Sequence, residues 1–189
     1  MASYRTDEHF RNQDFTASGL EVTEYDGCSF TACRLADVDV SEVRFLDCSF
    51  QDCDLSNATL TGTSLQNVRF ENSKLLGLTF DDCAPLAFAA RFSGCRMQHA
   101  SFQKMKLIRC GFTGCDLTEA DFTGADMTGI NLTDCDLDRA TFEGTDLRKA
   151  DLRESRHYRI DPTQNRVRGA RFSLPEALGL LQTFGVKID

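Results

Sequence analysis

Large apolar residues recur at every fifth position along most of the chain. The first run passes from Phe10 through Phe15, Leu20, Tyr25, Phe30, Leu35, Val40, Phe45, Phe50, Leu55, Leu60, Leu65, Phe70 and Leu75 to Phe80. The register resumes two residues out of phase at Phe92 and continues through Met97, Phe102, Leu107, Phe112, Leu117, Phe122, Met127, Leu132, Leu137, Phe142 and Leu147 to Leu152. A period of five fits neither the 3.6 of a helix nor the 2 of a strand, so the pattern predicts a repeat protein. Two residues before each large one the side chain is small, as at Ser18, Ala58, Ser73, Ala100, Ala120, Ala125, Ala140 and Ala150, and all nine cysteines fall in this register. One short and one long inward residue separated by an outward one describe a strand-like segment. The two remaining positions, rich in Thr, Ser, Asn, Asp and Gly, carry turn chemistry. Four such corners close a square coil of twenty residues.

The stretch ADFTGADMTGINLTDCDLDRATFEGTDLRKADLRES, Ala120 to Ser155, resembles the A(D/N)Lxx pentapeptide repeat, and the resemblance covers roughly residues 8 to 155. It implies an all-β solenoid, a right-handed quadrilateral β-helix. The closing segment IDPTQNRVRGARFSLPEALGLLQTFGVKID, Ile160 to Asp189, resembles the end of the gyrase-protecting branch, which includes the Qnr quinolone-resistance proteins and the microcin B17 immunity protein. Residues 1–155 are therefore expected to form the β-helix, with a register break at 81–91, and residues 156–189 a capping and dimerisation segment. At about 4.8 Å per coil, about 7.5 coils make a rod of roughly 36 Å.

In the break, DDCAPLAFAARF, Pro85 stands where a large inward residue is due. A proline cannot donate to a ladder, so a kink or bulge on one face is expected, with Asp81 and Asp82 exposed beside it. No long inserted loop is visible, which favours comparison with the loop-poor immunity type. Past Ser155 a short helical cap is expected, with Ser173 as N-cap, Pro175 in the first turn and Gly185 at its end. Leu174, Ala177, Leu178, Leu181 and Phe184 fall on one face of that helix. A cap must cover the last sheet edge; it either folds back on its own rod or, as the resemblance implies, also buries a second subunit.

Nine cysteines raise the question of metal or redox chemistry. The pairs Cys28/Cys33, Cys48/Cys53 and Cys110/Cys115 lie on different faces of a square coil and need not converge on an ion. Cysteines twenty apart, such as Cys95, Cys115 and Cys135, stack about 4.8 Å apart with parallel Cβ vectors, too far for a disulfide. They read as small buried filler, with no metal and no cofactor expected. His9, His99 and His157 have no metal-like spacing, and no catalytic or nucleotide-binding motif occurs, so an enzyme is not expected. The polar N-terminus and the lack of an 18-residue apolar run suggest a cytoplasmic protein with no membrane partner.

The net charge of −8 is uneven. Residues 156–189 hold six basic groups against three acids; taking these from totals of 21 and 29 leaves 15 against 26, a net of −11 on the rod. That is about one negative charge per 3.3 Å, near half the linear density of duplex DNA. Asp116, Asp121, Asp126, Asp136, Asp146 and Asp151 each precede a large inward residue and are expected to point outward, Asp116 stacking with Asp136 and Asp126 with Asp146. Such columns can imitate a phosphate backbone, or only keep a rod soluble. A surface of this sign disfavours direct nucleic-acid binding. The resemblance implies DNA gyrase, a type II topoisomerase, as the partner, a homodimer as the assembly, and protection from a quinolone or a peptide toxin as the outcome. A scaffold for some other protein is the alternative.

Overall fold

A computed structural model describes residues 4–21, 23–182 and 184–186; Lys187 and Asp189, counted in the tail charge, lie outside the described residues. Strands β1 to β8 are Tyr4–Thr6, His9–Arg11, Glu24–Asp26, Ser29–Thr31, Arg44–Leu46, Ser49–Gln51, Ser64–Gln66 and Val68–Glu71. Strands β9 to β11 follow at Ala90–Ser93, Gly111–Thr113 and Asn131–Thr133. All pairings among them are parallel, and they build a four-stranded sheet, β1-β3-β5-β7, and a seven-stranded one, β11-β10-β9-β8-β6-β4-β2. These sheets are the first and second faces of a solenoid. A third is laddered by single bridges from Asp14 through Arg34, Asp54, Lys74, Arg96, Asp116 and Asp136 to Arg156, and a fourth carries Asp39↔Thr59 and Thr79↔Ser101↔Asp121↔Thr141.

The five-residue period follows from a bend after every inward residue. Ala32, Asp37, Glu42, Asp47, Asp52 and Asn57 all have φ between 50° and 60°, a left-handed corner two residues after Phe30, Leu35, Val40, Phe45, Phe50 and Leu55. Asn and Asp tolerate this conformation through local hydrogen bonds, and Gly takes it at no steric cost, as at Gly129.

Inside, the large residues stack in columns. Phe10, Phe30, Phe50, Phe70, Phe92 and Phe112 are successive stacked rings 4.6–5.2 Å apart on the second face, and Phe80, Phe102, Phe122 and Phe142 form another column on the fourth. Rings of neighbouring columns meet edge-on, as Phe102 and Phe112 do at 84°. The cysteines fill the small positions. Eight are buried and Cys110 is half-buried. Cys48 and Cys53 donate their thiols to the carbonyls of Tyr25 and Phe30, and Ser73 does the same to Phe50. Burial pushes the thiols of Cys48, Cys53 and Cys83 up to about 12, in keeping with packing atoms.

The break sits where expected, but its content differs. Pro85 does not occupy an inward place: it is exposed, and Leu86 beside it is 82% exposed. Ala84 and Ala89 donate their N–H groups to the carbonyls of Thr63 and Leu65, and Pro85, Leu86 and Ala87 between them loop out from the first face. Phe88 turns inward instead, its ring 6.4 Å from Phe80 and edge-on to it. The loop adds two residues to one coil, and β8 and β9 stay paired with Phe70 opposite Phe92. That is why the phase shifts while the second face runs on unbroken.

The ladder also does not stop at Ser155. Asp136↔Arg156, Asp146↔Arg166 and Asp151↔Arg171 carry three faces past that boundary. His157 and Pro162 stand where large inward residues are due, and Tyr158 and Ile160 are buried in their place. From Asn165 the rule returns: this small-position residue is buried, its amide donating to the Phe142 carbonyl and accepting from the Thr145 N–H. Val167 and Phe172, in phase with Leu152, pack against the core.

The cap is shorter than the sequence suggests. A 3-10 turn at Glu176–Leu178 runs into α1, Gly179–Gln182, and Gly185 adopts φ 66° just beyond. Ser173 does not cap it with its side chain; its Oγ accepts from the Glu154 N–H of the last coil, while its carbonyl accepts from Ala177. Leu180 packs on the core.

Candidate partner-binding surface

The six aspartates before the inward residues stack as the coil requires. Asp116 bridges to Asp136 and Asp126 to Asp146, while Asp121 and Asp151 bridge to Thr141 and Asn131. All six are half-buried, because each is also a turn residue. One carboxylate oxygen of each accepts the backbone N–H two residues on, from Thr118, Thr123, Thr128, Asp138, Arg148 and Arg153 in turn. The outward-facing carboxylates thus hold the corners as well as charging the surface.

Their remaining oxygens divide them into two groups. Asp116 and Asp121 accept side-chain amides from Gln98 and Gln103 and form no close ion pair among the described residues, although Arg96 is the ladder partner of Asp116. Asp126 accepts its turn amide and forms no close ion pair among the described residues, although Lys106 is its ladder partner and its charge also acts on Arg148. Toward the C-terminal end the acids are paired. Asp136 meets Arg156 at 3.1 Å and His157 at 2.8 Å. Asp146 meets Arg148 at 2.6 Å and Arg166 at 3.4 Å, and Asp151 meets Arg153 at 2.7 Å and Arg171 at 3.7 Å. The Arg148 fork holds the Asp146 carboxyl at about 2, and the Arg153 fork likewise lowers Asp151. At Asp136 desolvation opposes the shift, but the His157 hydrogen bond and the nearby charges carry it below the usual carboxylate range. In the other direction, the hydrogen bond to Asp136 raises the pKa of His157.

The third face mixes both signs along its length, and Asp14–Arg34 and Asp54–Lys74 pair across its coils at 2.8 and 3.5 Å. A continuous acid column is therefore absent there; of the six corner aspartates, Asp116, Asp121 and Asp126 are the ones without an ion pair among the described residues. Asp81 and Asp82 lie in an exposed 3-10 turn, Phe80–Asp82, at the break. Asp81 borders a cleft of about 560 Å³ under the looped-out segment, with Phe88 and Met105 among its apolar walls and Lys104 and Lys106 among its polar ones. The arginine forks of Asp146 and Asp151 were not anticipated, although Asp-Leu-Arg recurs at 146–148 and 151–153 and was a readable signal.

At the far end Leu174, Leu178, Leu181 and Phe184 are exposed, as is Val186, and Ala177 is half-buried. Of the residues expected on one helix face, Leu174 and Phe184 lie outside the short helical turns Glu176–Leu178 and Gly179–Gln182. No group of three or more His, Cys, Asp or Glu able to hold a metal occurs among the described residues, and no described helix is long and apolar enough to cross a membrane.

A rod of parallel coils with a bend every five residues and columns of stacked rings is an all-parallel β-solenoid. The chain belongs to the pentapeptide-repeat family: the profile described as pentapeptide repeats matches residues 89–124 and 115–154, and that of the pentapeptide repeat region matches 23–85. Among solved structures the chain is similar to a trypsin-treated single-residue variant of QnrB1, described as a plasmid-mediated fluoroquinolone resistance protein, at 19% identity over 100% of both chains with a TM-score of 0.66. A second trypsin-treated variant of QnrB1 gives 18% identity over 99% of this chain and 100% of that one, TM-score 0.55. HetL of Nostoc sp. strain PCC 7120, a pentapeptide-repeat protein involved in heterocyst differentiation regulation, gives 16% identity over 89% of this chain and 84% of that one, TM-score 0.51. No curated protein sequence matches.

Proposed function

We propose that this protein is a non-enzymatic, cytoplasmic binder of a type II topoisomerase, chiefly DNA gyrase, that engages the enzyme's DNA-binding surface and protects it from a quinolone or a peptide toxin. The observation that carries the reading is the set of half-buried corner carboxylates without a close ion pair at Asp116, Asp121 and Asp126. They sit on three successive faces of a stiff rod whose coils repeat at strand spacing, so they are fixed acceptors for a partner that wraps the rod with phosphate-binding cations. Rigid placement matters because no ordering cost is incurred when they dock. Likeness of fold to QnrB1 along the whole chain supports the same choice of partner. The exposed apolar residues Leu174, Leu178, Leu181 and Phe184 support a homodimer joined at the cap, which lengthens the rod presented to the enzyme.

A scaffold for another protein is the second reading. It is favoured by the arginine and histidine pairs at Asp136, Asp146 and Asp151, which cancel half of the acidic set, and by the fold it shares with HetL. Purified gyrase assayed for supercoiling, with and without a quinolone, separates the two. Restored supercoiling in the presence of the drug supports the first, and no effect on gyrase in either condition supports the second.

A further inference from the structure

The second face carries a basic site on an otherwise acidic rod. Arg69 of β8 and Arg91 of β9 are direct partners in the parallel ladder, so two guanidinium side chains leave the same face one strand spacing apart. Both are exposed, as is Arg109 on the neighbouring corner. Arg34, Arg44, Arg148 and Arg153 each reach a carboxylate, yet among the described residues Arg69, Arg91 and Arg109 reach none, and Glu71, the acid on this face beside them, pairs with neither neighbour. Like charges directly opposite in a sheet are destabilising, so this juxtaposition costs the free protein stability that a bound anion would restore.

Two glycines open the surface next to them. Gly111 is the ladder partner of Arg91, in β10, where glycine weakens a strand. Nothing in the rod requires it: a Cβ there would meet its nearest neighbour at 3.8 Å, an ordinary contact. Gly129 at the adjoining corner has open space where its Cβ would be. The result is a shallow depression of about 570 Å³ lined by Arg69, Arg91, Glu71 and Asn131, with Gly111 of β10 leaving its floor without a side chain.

We propose that this depression is a docking site for an extended protein segment carrying two or three carboxylates. The planar forks of Arg69 and Arg91 suit bidentate carboxylates, and the bare β10 backbone lets a partner main chain approach. The depression is too open to enclose a small molecule. A nucleic acid is disfavoured because three arginines do not form a track for successive phosphates, and the acidic flanks repel the rest of such a strand. The site lies on a different face from Asp116 and Asp121, so it does not rest on the gyrase reading.

The test is fluorescence anisotropy at low salt with a labelled peptide of alternating Glu and Thr, its Gln-for-Glu counterpart, a single-stranded oligonucleotide of equal charge, and inorganic phosphate. The Glu peptide is expected to bind. Arg69→Ser with Arg91→Ser should weaken it about tenfold, whereas Lys104→Ser with Lys106→Ser, the same charge change on another face, should leave it within about twofold. Gly111→Leu fills the depression without altering charge and should weaken binding as well, keeping the test open if the arginine pair fails to fold. No peptide binding, equal loss in the two double variants, equal binding of the Gln peptide, full retention in Gly111→Leu, or tighter binding of the oligonucleotide or of phosphate would each overturn the proposal.

Discussion

Arg148 grips Asp146 across a single corner: its Nε lies 2.8 Å from Oδ1 and its Nη2 2.6 Å from Oδ2, while the backbone N–H of the same arginine donates to Oδ1 at 3.2 Å. Arg153 repeats the arrangement on Asp151 one repeat later. The acids at this end of the rod are thus corner fasteners whose charge is already matched.

These pairs set a pH dependence of stability. Asp146, Asp151 and Asp136 have lowered pKa values, so they contribute stability that is present above the unfolded carboxylate value of about 4 and lost as pH falls through the folded values. His157 is raised, so its contribution is full below about 6.5 and is lost as pH rises through its folded pKa. Thermal melts should therefore show highest stability between about pH 4.5 and 6.5, falling on both sides. Asp146→Asn should flatten the acid limb and leave the alkaline limb alone. An unchanged acid limb in that variant would show that the fork does not couple to folding.

The inward register gives a sharper contrast. Phe112 is fully buried, 4.9 Å from the stacked Phe92 and edge-on to Phe102 and Phe122. Truncating such a ring costs about 3–5 kcal/mol, and Phe112→Asp adds a buried charge, so urea melts should show a chain that no longer folds through its central coils. Thr113→Asp, one residue on and exposed, should stay within about 0.5 kcal/mol of wild type. Equal losses would mean the register is wrong.

The period of five made the coil legible without any structure, because one bend per repeat forces large and small side chains into fixed phases. What stayed hidden were places where a side chain broke phase while the backbone kept the ladder. Pro85 held an inward position in the count and His157 stands five residues past its last member, Leu152, yet both are exposed and Phe88 and Tyr158 are buried instead. Val167 and Phe172 were in phase with Leu152 and offered the clue that the solenoid continues to Arg171. The charge pattern was harder, since a count of outward acids says nothing about which arginine two residues or one coil away will reach them. The small position was the most transparent: Ser73 and Cys53 occupy it in successive coils with the same bond to a carbonyl below.

That equivalence yields a prediction for the cysteines. Ser73 Oγ accepts the Cys53 N–H at 3.0 Å and donates to the Phe50 carbonyl. Cys53→Ser should therefore keep both kinds of bond and cost no more than about 1 kcal/mol. With thiols held near 12 by burial, alkylation at pH 8 read by mass spectrometry should reach Cys48, Cys53 and Cys83 only on unfolding. Chelator and reductant should leave the far-UV spectrum and melting temperature unchanged; stoichiometric zinc in the purified protein would contradict this.

Assembly is tested at the cap. Leu178 and Leu181 are exposed at 38% and 41%, next to Leu174 and Phe184, while Leu180 alone of the α1 leucines packs on the core. Leu178→Glu with Leu181→Glu should halve the mass seen by light scattering with the rod still folded. A wild-type chain that is already monomeric at micromolar concentration removes the dimer from the proposal.

The functional prediction turns on which carboxylates are free. If phosphate imitation drives gyrase binding, the trio without close ion pairs should matter and the forked set should not. Asp116→Asn, Asp121→Asn and Asp126→Asn together retain an oxygen to accept the turn amides of Thr118, Thr123 and Thr128, so the corners should hold while three charges are lost. Gyrase binding should weaken by at least about tenfold at low salt and lose much of its salt dependence, since charge-matched association is screened over about 8 Å at physiological ionic strength. Asp136→Asn, Asp146→Asn and Asp151→Asn remove the same formal charge but also free Arg148, Arg153, Arg156 and Arg166. That variant should lose stability more than affinity, and whatever affinity it loses should come from the released cations. Comparable gyrase protection by the first variant and the wild type would eliminate mimicry by these residues and leave the scaffold reading in possession of the acids.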